Sequence, residues 1–134
     1  MRLGDGDAYV DISASREGYA GGNDGPDIFA SVEVRIGDFS AAIGTVVARG
    51  GWQAFLSALS QLDKQRRGEA VLESADGREL RLRIHAADRL GHMAISGEIE
   101  RRDLPSEPRL TFGKVTFDPA LLPQLVTEMS AVGA

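Results

Sequence analysis

The chain has 134 residues, 43% hydrophobic and 26% charged, with no cysteine and a formal net charge of −5. That length can bury a core without metal or disulfide support, the composition is that of an ordinary globule, and the missing cysteines exclude disulfides and thiolate chemistry. No stretch approaches the ~18 apolar residues of a membrane-spanning helix, and the opening Met1-Arg2-Leu3-Gly4-Asp5-Gly6-Asp7 lacks the apolar run of a signal peptide, so a cytoplasmic location is expected.

Hydrophobic period carries the structural signal. Tyr9 to Arg16 alternates, with Val10 and Ile12 on one side, and reads as the first strand. Gly18 to Asp27 holds most of the turn-forming residue types and reads as a loop. Ile28 to Ile36 alternates Val32, Val34 and Ile36 against Glu33 and Arg35. Gly37-Asp38 is a tight-turn pair, and Phe39 to Val47 resumes the alternation, which predicts a hairpin. Arg49-Gly50-Gly51 is read as the break after that strand. Trp52, Phe55, Leu56, Leu59 and Leu62 then repeat at helical spacing, predicting a helix over 52–64 that buries Phe55 and Leu59 and ends at Gly68.

Alternation returns in Ala70-Val71-Leu72 and Leu80-Leu82-Ile84, which flank Asp76-Gly77. A left-handed Gly77 in a three-residue loop places Leu72 opposite Leu82 and Glu73 opposite Arg81; a one-residue slip would turn a strand's faces over. A second hairpin, with Asp88-Arg89 at its tip, is expected to pair Ile84 with Met93 and His85 with His92, and the strand from His92 to Arg101 to bury Met93, Ile95 and Ile99. Leu110 to Phe117 is the last strand. Asp118-Pro119 reads as N-cap and first residue of a closing helix carrying Leu121, Leu122, Leu125, Val126 and Met129.

Charge is placed unevenly. Residues 1–40 hold eight acids and three bases, and residues 41–134 hold twelve of each, so the whole excess lies in the first third. Such a surface repels nucleic-acid phosphates and attracts a basic partner. Candidate chemistry is sparse. A cross-strand His85/His92 pair with Asp88 supplies too few ligands for a transition metal. The Gly/Asp-rich stretch 21–27 is a single copy, without the tandem array that calcium-binding nonapeptide turns require. Arg78, Arg81 and Arg83 form a stripe better explained by cross-strand ion pairs than by RNA. No nucleophile elbow and no phosphate loop is present.

Four stretches carry a family likeness. Gly37-Asp38-Phe39 through Val47, the run Gly51 to Leu59 (Gly-Trp-Gln-Ala-Phe-Leu-Ser-Ala-Leu), the strand Gly91 to Ile99 (Gly-His-Met-Ala-Ile-Ser-Gly-Glu-Ile) and the closing unit Leu110 to Met129 resemble WapI-type bacterial immunity proteins and related small bacterial families. The resemblance implies a binding role: an immunity protein that blocks a toxin. It transfers no catalytic motif, and it leaves the N-terminal Gly/Asp-rich loop unaligned.

These readings predict one α+β domain over residues 1–134: an antiparallel sheet of six to seven strands with two helices packed on one face, in the order βββ-α-ββββ-α. The expected function is non-enzymatic protein binding of immunity or antitoxin type, with a basic toxin domain as partner and without nucleic acid, membrane, metal or cofactor. Partner binding is assigned to Tyr19, Asp24, Asp27 and Asp38, three acids and an aromatic residue in or beside predicted loops. Two other readings stay open: a small-molecule-binding or minor enzymatic domain with a pocket between sheet and helices, and a homodimerisation module.

Overall fold

The computed structural model describes residues 1–20 and 26–132, with side chains described for 1–16 and 27–132. Among the described residues, eight strands and two α-helices follow in the order β1 (Arg2–Asp5), β2 (Ala8–Ala20), β3 (Pro26–Ile36), β4 (Phe39–Val47), α1 (Arg49–Gln65), β5 (Glu69–Glu73), β6 (Leu80–Ala86), β7 (Met93–Glu100), β8 (Arg109–Phe117) and α2 (Leu122–Val132). The strands form two four-stranded antiparallel sheets, each a simple meander: β1-β2-β3-β4 and β5-β6-β7-β8.

This corrects the expectation of one sheet with six to seven strands. Two causes account for the difference. Arg2–Asp5 contains a single apolar residue, so it has no alternation to read. It becomes a strand because Leu3 pairs with Val10 and is fully buried. Alternation also fixes which side chains share a face of one strand, but not which strands share a sheet. The helices likewise touch both sheets rather than lying on one face of one: α1 packs against β5, β3 and α2, and α2 against β2. One apolar cluster joins all these elements, from Leu3, Val32 and Ile43 through Trp52, Phe55 and Leu59 to Leu82, Ile95, Phe117 and Leu125.

Local predictions hold where the chemistry is local. Leu72 faces Leu82 and Glu73 faces Arg81, and Gly77 is left-handed with φ 72°. The connection is five residues rather than three, because Ser74 and Leu80 close the pair from Ser74 N–H to Leu80 O at 3.0 Å. Asp118 caps the last helical segment, accepting from the Ala120 N–H at 2.9 Å with Pro119 next to it, and a 3-10 turn over Pro119–Leu121 leads into α2.

The first helix begins earlier than its apolar stripe. Arg49, Gly50 and Gly51 form its first turn, and the Trp52 N–H makes the first helical bond to Ala48 O at 2.9 Å. First-turn N–H groups have no partner one turn back, so poor helix formers cost less there than in the interior. At the other end the helix closes at Arg66, which is left-handed (φ 56°) and returns its N–H to Leu62 O, and Gly68, also at positive φ (90°), follows two residues beyond it.

The β6–β7 register differs by two residues from the expected one. Ile84 pairs with Ile95, His85 with Ala94 and Ala86 with Met93. A two-residue shift leaves Leu82, Ile84, Met93 and Ile95 all on the buried face. The hydrophobic pattern was therefore satisfied by both registers. What changes is the histidines: His92 moves out of the ladder into the turn.

Candidate partner-binding surface

Sheet pairing places the predicted site residues. Asp38 is exposed in the Gly37-Asp38 turn, where Ile36 pairs with Phe39 and Gly37 has φ 59°. Asp27 is half-buried near the opposite end of β3. At ~3.3 Å per strand residue the two acids lie about 35 Å apart, so they belong to different ends of the sheet. Asp24 and the Tyr19 side chain lie outside the described residues. The structure instead brings Asp7 to Asp38. The Gly37 N–H donates to Asp7 O at 2.7 Å, which locks the β1–β2 and β3–β4 turns side by side. Their carboxylates make no hydrogen bond or ion pair among the described residues. The sequence signal was present in Gly6-Asp7, a second two-residue turn, but only strand pairing makes the turns neighbours.

The outward face of the first sheet is a trough. Cross-strand rows run Asp11–Glu33–Ala42, then Ser13–Ser31–Gly44, then Ser15–Phe29–Val46. The middle row is made of small residues, and its neighbours are taller. A side chain at Gly44 would meet the Phe29 ring, with Cζ only 2.6 Å from an added Cβ. The trough continues over the β4 edge to Glu79, Arg101 and Asp103 as an open cleft of about 560 Å³.

That edge is held by the second sheet. The Ala75 N–H donates to Val46 O at 2.8 Å, Arg101 Nη1 to Ala42 O at 3.1 Å, and the Thr45 hydroxyl to Glu79 Oε2 at 2.8 Å. Blocking the edge at both Ala42 and Val46 leaves too short a run for another strand to add, a common protection of sheet edges.

Charges in the cleft are unequal in their partners. Arg101 is held by Asp103 through two hydrogen bonds of 2.9 and 2.7 Å, which pull the Asp103 carboxyl below its usual range and raise the guanidinium. Asp11 has Arg2 Nε at 3.5 Å, and that guanidinium also covers the Tyr9 ring at 3.8 Å. Glu33 accepts only from the Tyr9 hydroxyl at 3.1 Å and Glu79 only from Thr45, so neither has a cationic partner among the described residues. A second cleft, about 460 Å³, adjoins the first through Glu33, Ala42 and Arg101. It lies between the start of β4 and the start of β8, with Phe39, Ala41, Pro108 and Leu110 on its walls. Phe39 is 70% exposed.

The remaining candidates do not assemble. His92 Nδ1 donates to Asp88 Oδ2 at 2.6 Å and holds that carboxyl below its usual range, while His85 lies beside Ala86 O and Ser96. The expected His85–His92 pair is therefore not formed, and no group of three or more metal-ligating side chains occurs among the described residues. Between helices and sheet there is a crevice of about 150 Å³ beside Ile28, Trp52 and Leu56, below the ~300 Å³ at which ligand pockets begin. Trp52 itself is buried in the core with its ring 5.6 Å from that of Phe55, and its Nε1 has no hydrogen-bond partner among the described residues. No described helix is long and apolar enough to cross a membrane.

Open surface clefts on an α+β scaffold, the first sheet of which carries the chain's acidic excess, are what this fold presents to a ligand or partner. A family model described as the immunity protein WapI-like family matches residues 1–133, and the chain belongs to that family. No curated protein and no solved structure matches it.

Proposed function

We propose that this protein is a non-enzymatic immunity protein that binds a basic toxin domain and neutralises it by covering its working surface. The observation that carries this reading is the match of an immunity-protein family over residues 1–133. The charge distribution supports it: residues 1–40, which hold the entire net −5, build most of the first sheet. An acidic face accelerates encounter with a cationic partner, and the loops and clefts supply fit. The absence of cysteine suits action in the cytoplasm, where a toxin that has entered or been made there must be met.

The test is co-expression with the toxic C-terminal domain of a secreted protein encoded beside it. Cells making both proteins survive, and the purified proteins co-elute. Changing Asp24, Asp27 and Asp38 together to Asn slows association and flattens its salt dependence, while the melting temperature moves little, because exposed charges steer encounter but add little to folding. Unprotected cells and no complex would overturn the reading.

A further inference from the structure

From the two adjoining clefts along the β4 edge we infer one docking surface, which receives a basic, apolar-flanked segment of a protein partner. The inference rests on the binding reading above and locates it. The apolar part is the hollow around Phe39, Ala41, Pro108 and Leu110. The polar part is the trough across Ser13, Ser31 and Gly44, closed by Glu33 and Glu79. Both parts share Ala42 and Arg101, so one continuous ligand spans them.

Charge complementarity selects the occupant. Of the four carboxylates lining the trough, Asp103 is held by Arg101 in a two-bond pair and Asp11 lies 3.5 Å from both Arg2 Nε and the N-terminal ammonium, which leaves Glu33 and Glu79 without a cation among the described residues. Glu33 and Glu79 are each engaged only by a hydroxyl. A Lys or Arg side chain laid along the small-residue row meets both carboxylates with its stem over Ser31 and Gly44. An acidic or phosphorylated ligand would be repelled. Phe39 is the protruding anchor at one end. Large exposed aromatic residues beside a polar rim are where binding energy concentrates in protein interfaces. Strand addition is not the mode, because Ala75 and Arg101 already occupy the β4 carbonyls of Val46 and Ala42.

The test needs no toxin. A random library of short displayed peptides is panned on the whole protein, and the survivors are measured by calorimetry on the wild type, on Phe39→Ser and on Glu33→Gln/Glu79→Gln. Phe39 and Glu33 are exposed and Gln preserves the bond from Thr45, so both variants keep the wild-type melting temperature. Enriched peptides carry Lys or Arg within a few residues of an aromatic or aliphatic side chain, and each variant weakens them at least about ten-fold. Peptides without basic residues, peptides indifferent to both variants, or no enrichment at all would overturn the assignment. So would a dimer in sedimentation velocity that Phe39→Ser dissolves, since a second copy would then be the occupant. If co-expression protects cells while the peptides ignore this surface, immunity stands and the surface is wrong. If the peptides dock and co-expression fails, the surface stands and the immunity reading falls.

Discussion

The first four strands and the last four follow the same plan, a four-stranded antiparallel meander, but they meet solvent differently. On the second sheet charge is internally matched. Arg83 reaches Glu69 at 3.1 Å, Arg81 stands between Glu73 and Glu98 in adjacent strands, and Arg109 pairs with the nearly buried Glu100 at 3.1 Å. Each of its three turns contains an aspartate whose carboxyl is held below the usual range. For Asp76 the chief cause is the Arg78 N–H, for Asp88 the His92 side chain, and for Asp103 the Arg101 guanidinium. The first sheet lacks this internal matching at its two-residue turns, where Asp7 and Asp38 have no side-chain partner among the described residues, and Glu33 on its open face accepts only a hydroxyl. The lesson is a division of labour. The second sheet ties each of its turn aspartates to a neighbouring donor, whereas Asp7 and Asp38 in the turns of the first sheet, and Glu33 and Glu79 where the sheets meet, have no cation among the described residues.

The strongest way to break this comparison is to separate the sheets. Because Phe55 sits in the cluster that joins both, Phe55→Ala is expected to cost about 3–5 kcal/mol and to unfold both sheets in one transition. Urea melts followed by far-UV circular dichroism and by Trp52 fluorescence should coincide. Two separated transitions would mean that each meander folds by itself.

A pair of glycine substitutions sharpens the contrast with a smaller effect. A Cβ at Gly97 would lie 2.2 Å from Arg81 O and 3.0 Å from the Leu82 Cα, both backbone atoms of the neighbouring strand. Gly97→Ala must push β6 and β7 apart and should cost about 2–3 kcal/mol. At Gly44 the obstacle is the Phe29 ring, half-buried on the open face. The ring can swing away, and Gly44→Ala should stay within about 1 kcal/mol. Equal thermal losses for the two variants would remove the distinction between a locked sheet and an open one.

The smallest effect concerns acid. Asp76 accepts from the Ser74 hydroxyl and from the N–H groups of Arg78 and Glu79, which favours its charged form. A carboxyl with a lower pKa in the folded than in the unfolded chain adds stability above its unfolded pKa and loses it as pH falls through the folded one. Asp76→Asn should therefore lower the melting temperature by a few degrees at neutral pH, and the gap to wild type should close on acidification below about pH 4. A constant gap for Asp76→Asn would mean that geometry, not charge, is what the turn needs.

What was legible in the sequence was whatever is decided within a few residues. The Asp118-Pro119 start of the last helical segment, the left-handed Gly77 and the Leu72–Leu82 register all follow from local sterics and from the two faces of a strand. The faces of β6 and β7 were legible for the same reason, and for that reason their register was not: a shift of two residues preserves the faces, and only the turn geometry around Asp88, Leu90 and His92 selects between the alternatives. For the proposed partner surface, the sequence offered Asp38 through its turn and the acidic first third through its charge count. It did not identify Phe39, because alternation assigns that residue to the core. It is exposed because β4 begins at the open end of the sheets, with the start of β8 across the second cleft.

The sequence by itself determined strand and helix faces, the core positions Phe55 and Leu59, the one-sided charge and, through its family likeness, the class of protein. These depend on period, composition and short-range geometry, all of which are properties of a segment. Only the tertiary structure decided that eight strands divide into two sheets and that Asp7 stands beside Asp38 while Asp27 is remote. It also decided that residues from β2, β3 and β4 and from the turns of the other sheet meet around one trough. Those are relations between segments far apart in the chain. They are fixed by how the apolar faces of both sheets and both helices close on one core, which no single stretch of sequence contains.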